Sequence, residues 1–293
     1  MSELRKQIAS LSGDDIVLRL TALATLVYGA QSEVLQAVFV VIGGAGLVMS
    51  ALLKRSGFWV TLFILSVLFH GPKWFSIDNH RVLFTYWLLT VALALKTTTV
   101  SDSLGRSARL LLAACFGCGL FWKLFGGQYF DGSFVTMTML TSSKFLPVTE
   151  AFSGLTAEQI SLFNGQLGLL RAGVLSPEAV ALPLTSRLSA MALVVSYFTL
   201  AIEFVIPCAF LAGDRLGSVF RHAVLLFFIF VVYPIATVPG FACLLLVMGI
   251  ADLKESQTRL RELYLLAFAF SVLSFVPKNL PTYMTMLADF FAW

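Results

Sequence analysis

Apolar runs of 16 to 26 residues recur along nearly the whole chain, separated mostly by short polar connections, and runs of that length leave few folds open. The hydrocarbon layer of a bilayer takes about 20 helical residues, roughly 17–25. Inside it each backbone N–H and C=O must be paired within the segment, which selects helices for sequences of this kind. The runs fall at 16–31, 34–53, 57–75, 81–96, 107–125, 187–212, 217–236, 238–253 and 261–277, the first and last being the weakest. They predict an all-α, polytopic transmembrane helical bundle of eight or nine spans, with a single transmembrane domain over 1–293. Composition agrees: 58% of residues are hydrophobic and 12% charged, where a soluble domain carries about 25% charged.

The connections predict an orientation. With the N-terminus inside, the inner connections hold Arg5, Lys6, Lys54, Arg55, Lys96, Arg106, Arg109, Arg215, Arg221, Lys254, Arg259 and Arg261, and the outer ones hold Lys73 and Arg81. That asymmetry follows the excess of Lys and Arg in cytoplasmic loops and places the protein in a plasma or inner membrane with a cytoplasmic N-terminus. Trp59, Trp74, Trp122 and Trp293 fall where an aromatic belt would sit. The polar opening MSELRKQIASLSGDD predicts no cleavable signal peptide. The net charge of +4 is scattered over the loops, so a nucleic-acid partner is not expected. Cys115, Cys118, Cys208 and Cys243 lie in apolar runs, where a thiol packs as a small hydrophobe. Cys115-x-x-Cys118 has the spacing of a redox pair, yet within a span it lacks the helix start that lowers a thiol pKa.

One connection, 126–186, is long and is expected outside. Thr156-Ala-Glu-Gln159 reads as a capping box, followed by Ile160, Phe163, Leu167 and Leu170 at helical spacing. Ser176-Pro177-Glu178 predicts a second helix start, with Pro at the first helical position. The loop is therefore expected to form amphipathic helices on the outer face, as a lid or simply as a surface.

Ionisable groups in apolar runs carry most of the functional information. Lys123 closes an uncharged run, Leu110–Phe125, in GLFWKLFGGQYFDGSF. It either snorkels to the surface or is kept partly dry, where a lysine becomes usable as a base. Glu203 lies deep in TLAIEFVIPCAF, four residues before Pro207, which has no N–H to give the Glu203 carbonyl. Carboxyl and carbonyl together form a polar notch: a structural hydrogen bond between helices, or a proton path or cation site that His222 could complete. His80, in Asp78-Asn79-His80-Arg81, and His70, before Gly71-Pro72, are expected near span ends. Three histidines without helical ligand spacing give no reason to expect a metal.

The order of these elements resembles the horizontally transferred transmembrane (HTTM) family, to which the membrane half of vitamin K-dependent γ-carboxylase belongs. Asn79-His80 opens a span leading to an inner Ser101-Asp102-Ser103 loop, and Lys123-Leu124 closes a span before the turn Tyr129-Phe130-Asp131-Gly132. Ser176-Pro177 precedes the span of Glu203, and another span begins around His222. The resemblance implies that Lys123 is a catalytic base that deprotonates a reduced quinone or vitamin K, and that His80 stabilises the developing charge. Trp122, Tyr129, Asp131, Glu203 and His222 would then line a ligand site or proton path. Trp122 replaces a lysine of the family pattern and Asp78 an asparagine. The carboxylase also has a large extramembrane domain that this chain, ending at Trp293, is expected to lack, so a quinone-like or other hydrophobic ligand is expected ahead of carboxylation of protein glutamates. Two rival expectations stand beside it. One is a non-catalytic partner that assists export or maturation of another polypeptide through 126–186. The other is a proton-coupled transporter using Glu203 and His222.

Overall fold

The computed structural model describes residues 12–27, 33–71, 77, 79–233 and 238–273. Lys73, Trp74, Asp78, Trp293, Arg5, Lys6 and the Pro234–Thr237 corner lie outside the described residues, as do the ends of the first and ninth expected spans. Among the described residues the secondary structure is entirely helical. The helices are α1 (Gly13–Val27), α2 (Glu33–Val48), α3 (Ser50–Leu53), α4 (Ser56–His70), α5 (Asn79–Ala94), α6 (Val100–Gly126), α7 (Ser133–Thr141), α8 (Leu146–Phe152), α9 (Ala157–Arg171), α10 (Ser186–Leu211), α11 (Ser218–Val232) and α12 (Pro239–Ala251). A further helix, α13, runs through 258–273.

Two of these, α6 and α10, are long and apolar enough to cross a membrane, and their most apolar stretches are only 22% and 39% buried. The core helix of a soluble protein would hide most of such a surface; here Leu110, Phe125, Val194, Phe204 and Leu211 stand outward. The other apolar runs form helices of 10–17 residues. The expected span at 34–53 is broken at Met49 (φ −103°, ψ 71°), just beyond Gly43, Gly44 and Gly46, each a weak helix former. The expected Ser101–Ser103 loop is instead the first turn of α6, where Asp102 faces the positive end of the helix dipole.

The chain divides into two compact units. The first comprises Met1–Cys115, Ala209–Leu226 and Pro239–Trp293. In it α1 packs on α2 and α12, and α4 on α5, around buried Phe39, Trp59, Leu62, Phe84, Trp87 and Leu88. Buried polar groups are hydrogen-bonded, and several of them tie these helices together. The Trp87 indole donates to Thr21 Oγ1 (3.1 Å) and Ser56 Oγ to the Ala92 carbonyl (2.7 Å), while Ser66 and Thr85 share a hydroxyl bond of 2.6 Å.

The second unit comprises Phe116–Cys208 and Phe227–Val238. Here the long connection is folded on a core of its own, Val135, Met139, Leu140, Leu155, Ile160 and Phe163 closing on Leu188 and Ala192 of α10. The capping box of α9 is formed in both directions, with Gln159 N donating to Thr156 Oγ1 and Thr156 N to Gln159 Oε1. Ser176-Pro177-Glu178 makes only a 3₁₀ turn, Pro177–Ala179. Pro183 follows closely and holds the residue before it out of the helical region, so the turn cannot propagate.

Candidate functional site

Lys123 lies in the last turn of α6, and Gly119 is one turn earlier on the same face. Glu203 Oε2 of α10 faces Gly119, 3.5 Å from where a methyl group would stand, an ordinary contact distance. The Lys123 ammonium turns inward and donates to Glu203 Oε1. Both side chains are largely covered, 19% and 12% exposed. Glu203 Oε2 is buried and has no hydrogen-bond partner among the described residues.

The turn after α6 covers the ammonium. Gly127 and Gly132 take φ of +71° and +73°, a region that side chains disfavour, and between them the chain doubles back. Phe130 N donates to the Gly127 carbonyl (3.1 Å) and Phe134 N to the Gln128 carbonyl (3.2 Å). Asp131 Oδ1 accepts from Ser133 N (2.9 Å), and that backbone N–H holds the Asp131 carboxyl below its ordinary pKa. Tyr197 of α10 ties the turn down by donating to the Phe130 carbonyl (3.2 Å). The result sets the Tyr129 ring 5.2 Å from Lys123 Nζ, with Phe134 stacked against the ring at 4.9 Å. Burial, and then the Glu203 charge, push the Tyr129 phenol well above its ordinary pKa, so it stays a neutral ring over the cation. Trp122 is 71% exposed and meets the edge of Phe121 at 6.3 Å.

A second polar cluster belongs to the first unit. Asp252, just past α12, accepts Arg109 Nε (3.0 Å) and Nη2 (2.8 Å) on Oδ1, and Arg221 Nε (2.7 Å) on Oδ2. Arg221 Nη1 also donates to the Gly213 carbonyl (3.1 Å). His222 is fully buried: its Nδ1 is 3.0 Å from the Tyr264 hydroxyl and its Nε2 is 3.7 Å from Asp252 Oδ2. Tyr264 reaches it because Gly249 has no side chain, a methyl there falling 2.4 Å from the ring. No protein-family model, curated protein or solved structure matches the chain.

The structure therefore brings together Lys123, Glu203 and Tyr129, with Asp131 shaping the turn. Glu203 is held by Lys123, and His222 is engaged with Tyr264. His80 lies in the first unit at the start of α5, its ring 5.6 Å from that of Phe241. His70 ends α4, its Nδ1 3.2 Å from Ser66 Oγ. Arg221, expected in an inner connection, is instead a buried partner of Asp252. Among the described residues no three His, Cys, Asp or Glu gather as a metal would require, and the four cysteines form no disulfide.

Asp252, Tyr264, Gly119 and Tyr197 were not singled out from sequence. Two signals were available: an acid ending an apolar run in GIADLK, and a glycine four residues before the unusual lysine.

Proposed function

We propose that the chain is a multi-pass membrane protein of the HTTM type, with eight or nine spans, a cytoplasmic N-terminus, and a reactive centre at Lys123. One observation carries the reading. The Lys123 amine is turned onto Glu203 beneath the Tyr129 ring, although its place at the end of an apolar helix would let it snorkel. A largely dry amine beside a carboxylate suits a hydrophobic ligand with an acidic hydroxyl, such as a reduced quinone or vitamin K. Neutral Lys123 takes the phenolic proton, the O–H bond breaking as the N–H bond forms, and leaves an ammonium beside the phenolate. Carboxylase-like or quinone-dependent chemistry would then follow on that anion.

The test uses the whole protein in lipid nanodiscs with reduced menaquinone or vitamin K, comparing wild type with Lys123→Ala. Loss of binding or of quinol deprotonation in folded Lys123→Ala is the expected result. A folded Lys123→Ala that binds and deprotonates as wild type does would sink the assignment.

A second reading is favoured by the α7–α9 region, which has its own core yet leaves Leu162, Leu169 and Val174 exposed. There the protein would act as a non-catalytic partner for another polypeptide. It predicts a stoichiometric companion on purification that is lost in Leu162→Glu/Leu169→Glu.

A further inference from the structure

We propose that Lys123 and Glu203 share a single mobile proton, with Glu203 as the internal acceptor that turns the Lys123 ammonium into a free amine. The inference deepens the reading of this pair as the reactive centre and rests on it.

The argument starts from how each group is solvated. A carboxylate presents two oxygens and about four lone-pair sites. Glu203 has one oxygen on Lys123, and the other is buried, facing the backbone of Gly119 with no hydrogen-bond donor among the described residues. A bare charged oxygen in apolar surroundings is costly, and a neutral carboxylic acid is much less so. Glu203 is thus held as an anion by a single contact.

On the other side, Lys123 offers three N–H groups and one carboxylate oxygen takes a donation. The π face of Tyr129 at 5.2 Å is the remaining feature that favours the charged form. Among the described residues, Lys123 is the charged group acting on Glu203, and the charge acting on Tyr129 is that of Glu203.

Transfer breaks one Nζ–H bond and forms one Oε1–H bond. The ammonium becomes an amine and the carboxylate a carboxylic acid, and the net charge of the pair stays at zero. No oxidant, reductant or outside proton source is needed. The turn between Gly127 and Gly132 then gains a role. A ligand that displaces the Tyr129 ring removes the favour shown to the ammonium and sends the proton to Glu203, freeing the base as the substrate arrives.

The experiment needs no ligand. The whole protein in nanodiscs is treated with an acylating reagent between pH 6 and 9, and modification of Lys123 is read by mass spectrometry against exposed Lys144. An ordinary lysine gains about tenfold in reactivity per pH unit below its pKa. A pair sharing one proton has a constant amine fraction between its two macroscopic pKa values, so Lys123 is expected to react at a nearly flat rate. In Glu203→Gln the flat region is expected to vanish and the tenfold slope to return. Tyr129→Leu should raise the plateau several-fold. Infrared spectra of wild type with isotope-labelled glutamate provide a readout that requires no variant: a carboxylic-acid carbonyl band is expected, lost in Glu203→Gln.

A Lys123 profile parallel to Lys144, with carboxylate bands only, would overturn proton sharing even if quinol binding depends on Lys123. A flat profile in a protein that binds no quinol would uphold proton sharing and remove the ligand assignment alone.

Discussion

Asp252 and Glu203 are both buried acids held by cations, and they use their oxygens in opposite ways. Asp252 fills both, taking two donors from Arg109 on one and Arg221 on the other. Glu203 fills one, and its other oxygen has no partner among the described residues. Asp252 is satisfied by arginines, whose guanidinium fork does not give up its proton. Glu203 faces a lysine, whose proton is transferable. The first arrangement suits holding helices together, and the second suits moving a proton. Burial alone therefore does not mark a functional acid; the unused oxygen and the identity of the cation do.

The comparison breaks most sharply at Asp252. Asp252→Asn leaves two guanidiniums without their counterion, Arg221 being fully buried, and removing one partner of a buried pair destabilises by about 3–5 kcal/mol. The variant is expected to lose most of its folded yield and melt far below wild type, as read by size exclusion and thermal unfolding in detergent. Normal stability would show that the cluster is no structural tie. Gly249→Ala ranks next. Its methyl would stand 2.4 Å from Tyr264, and overpacking of that kind costs about 1–3 kcal/mol. The melting temperature should fall, while Lys123 acylation in the protein that remains folded stays as in wild type.

At the Lys123 site the expected balance is reversed. Glu203→Gln should shift stability by about 1 kcal/mol or less, because a partly exposed lysine can reach out to water or head groups once unpaired. Its acylation profile should nevertheless change shape. A collapse of the fold in Glu203→Gln comparable to that of Asp252→Asn would place both acids in the structural class and end the contrast.

How much of this was readable beforehand follows from the same physics. Apolar runs report helices well, because hydropathy is a local property: α10 coincides closely with the expected 187–212, and α6 contains the expected 107–125 but begins at Val100. The capping box of α9 is equally local, spanning four residues. Lys123 and Glu203 stood out because charge is rare in such segments. That they pair with each other is a relation across 80 positions, which no local pattern reports. Arg221 looked like a loop charge because Asp252, which buries it, lies 31 residues away. The failed helix at Ser176 shows a start signal outvoted by a proline seven positions on, at 183.

The mildest expected effect concerns the turn that carries Tyr129. Asp131 is fully exposed, and the Ser133 N–H that it accepts lowers its pKa from 3.8. A carboxyl whose folded pKa is depressed contributes order above its unfolded value and loses it as pH falls through the folded one. The turn should therefore be unaffected from neutral pH down to about 4 and loosen below it. Asp131→Asn keeps an acceptor for Ser133 and should remove that acid step. Hydrogen exchange at Ser133 and Phe134 reads the change directly. If the turn loosens in acid while the Tyr129→Leu effect on Lys123 acylation is already present at neutral pH, the ring itself governs the lysine. If instead Tyr129→Leu leaves Lys123 as in wild type at every pH, the turn is only a connector, and the contrast between the two clusters rests on the bare oxygen of Glu203 alone.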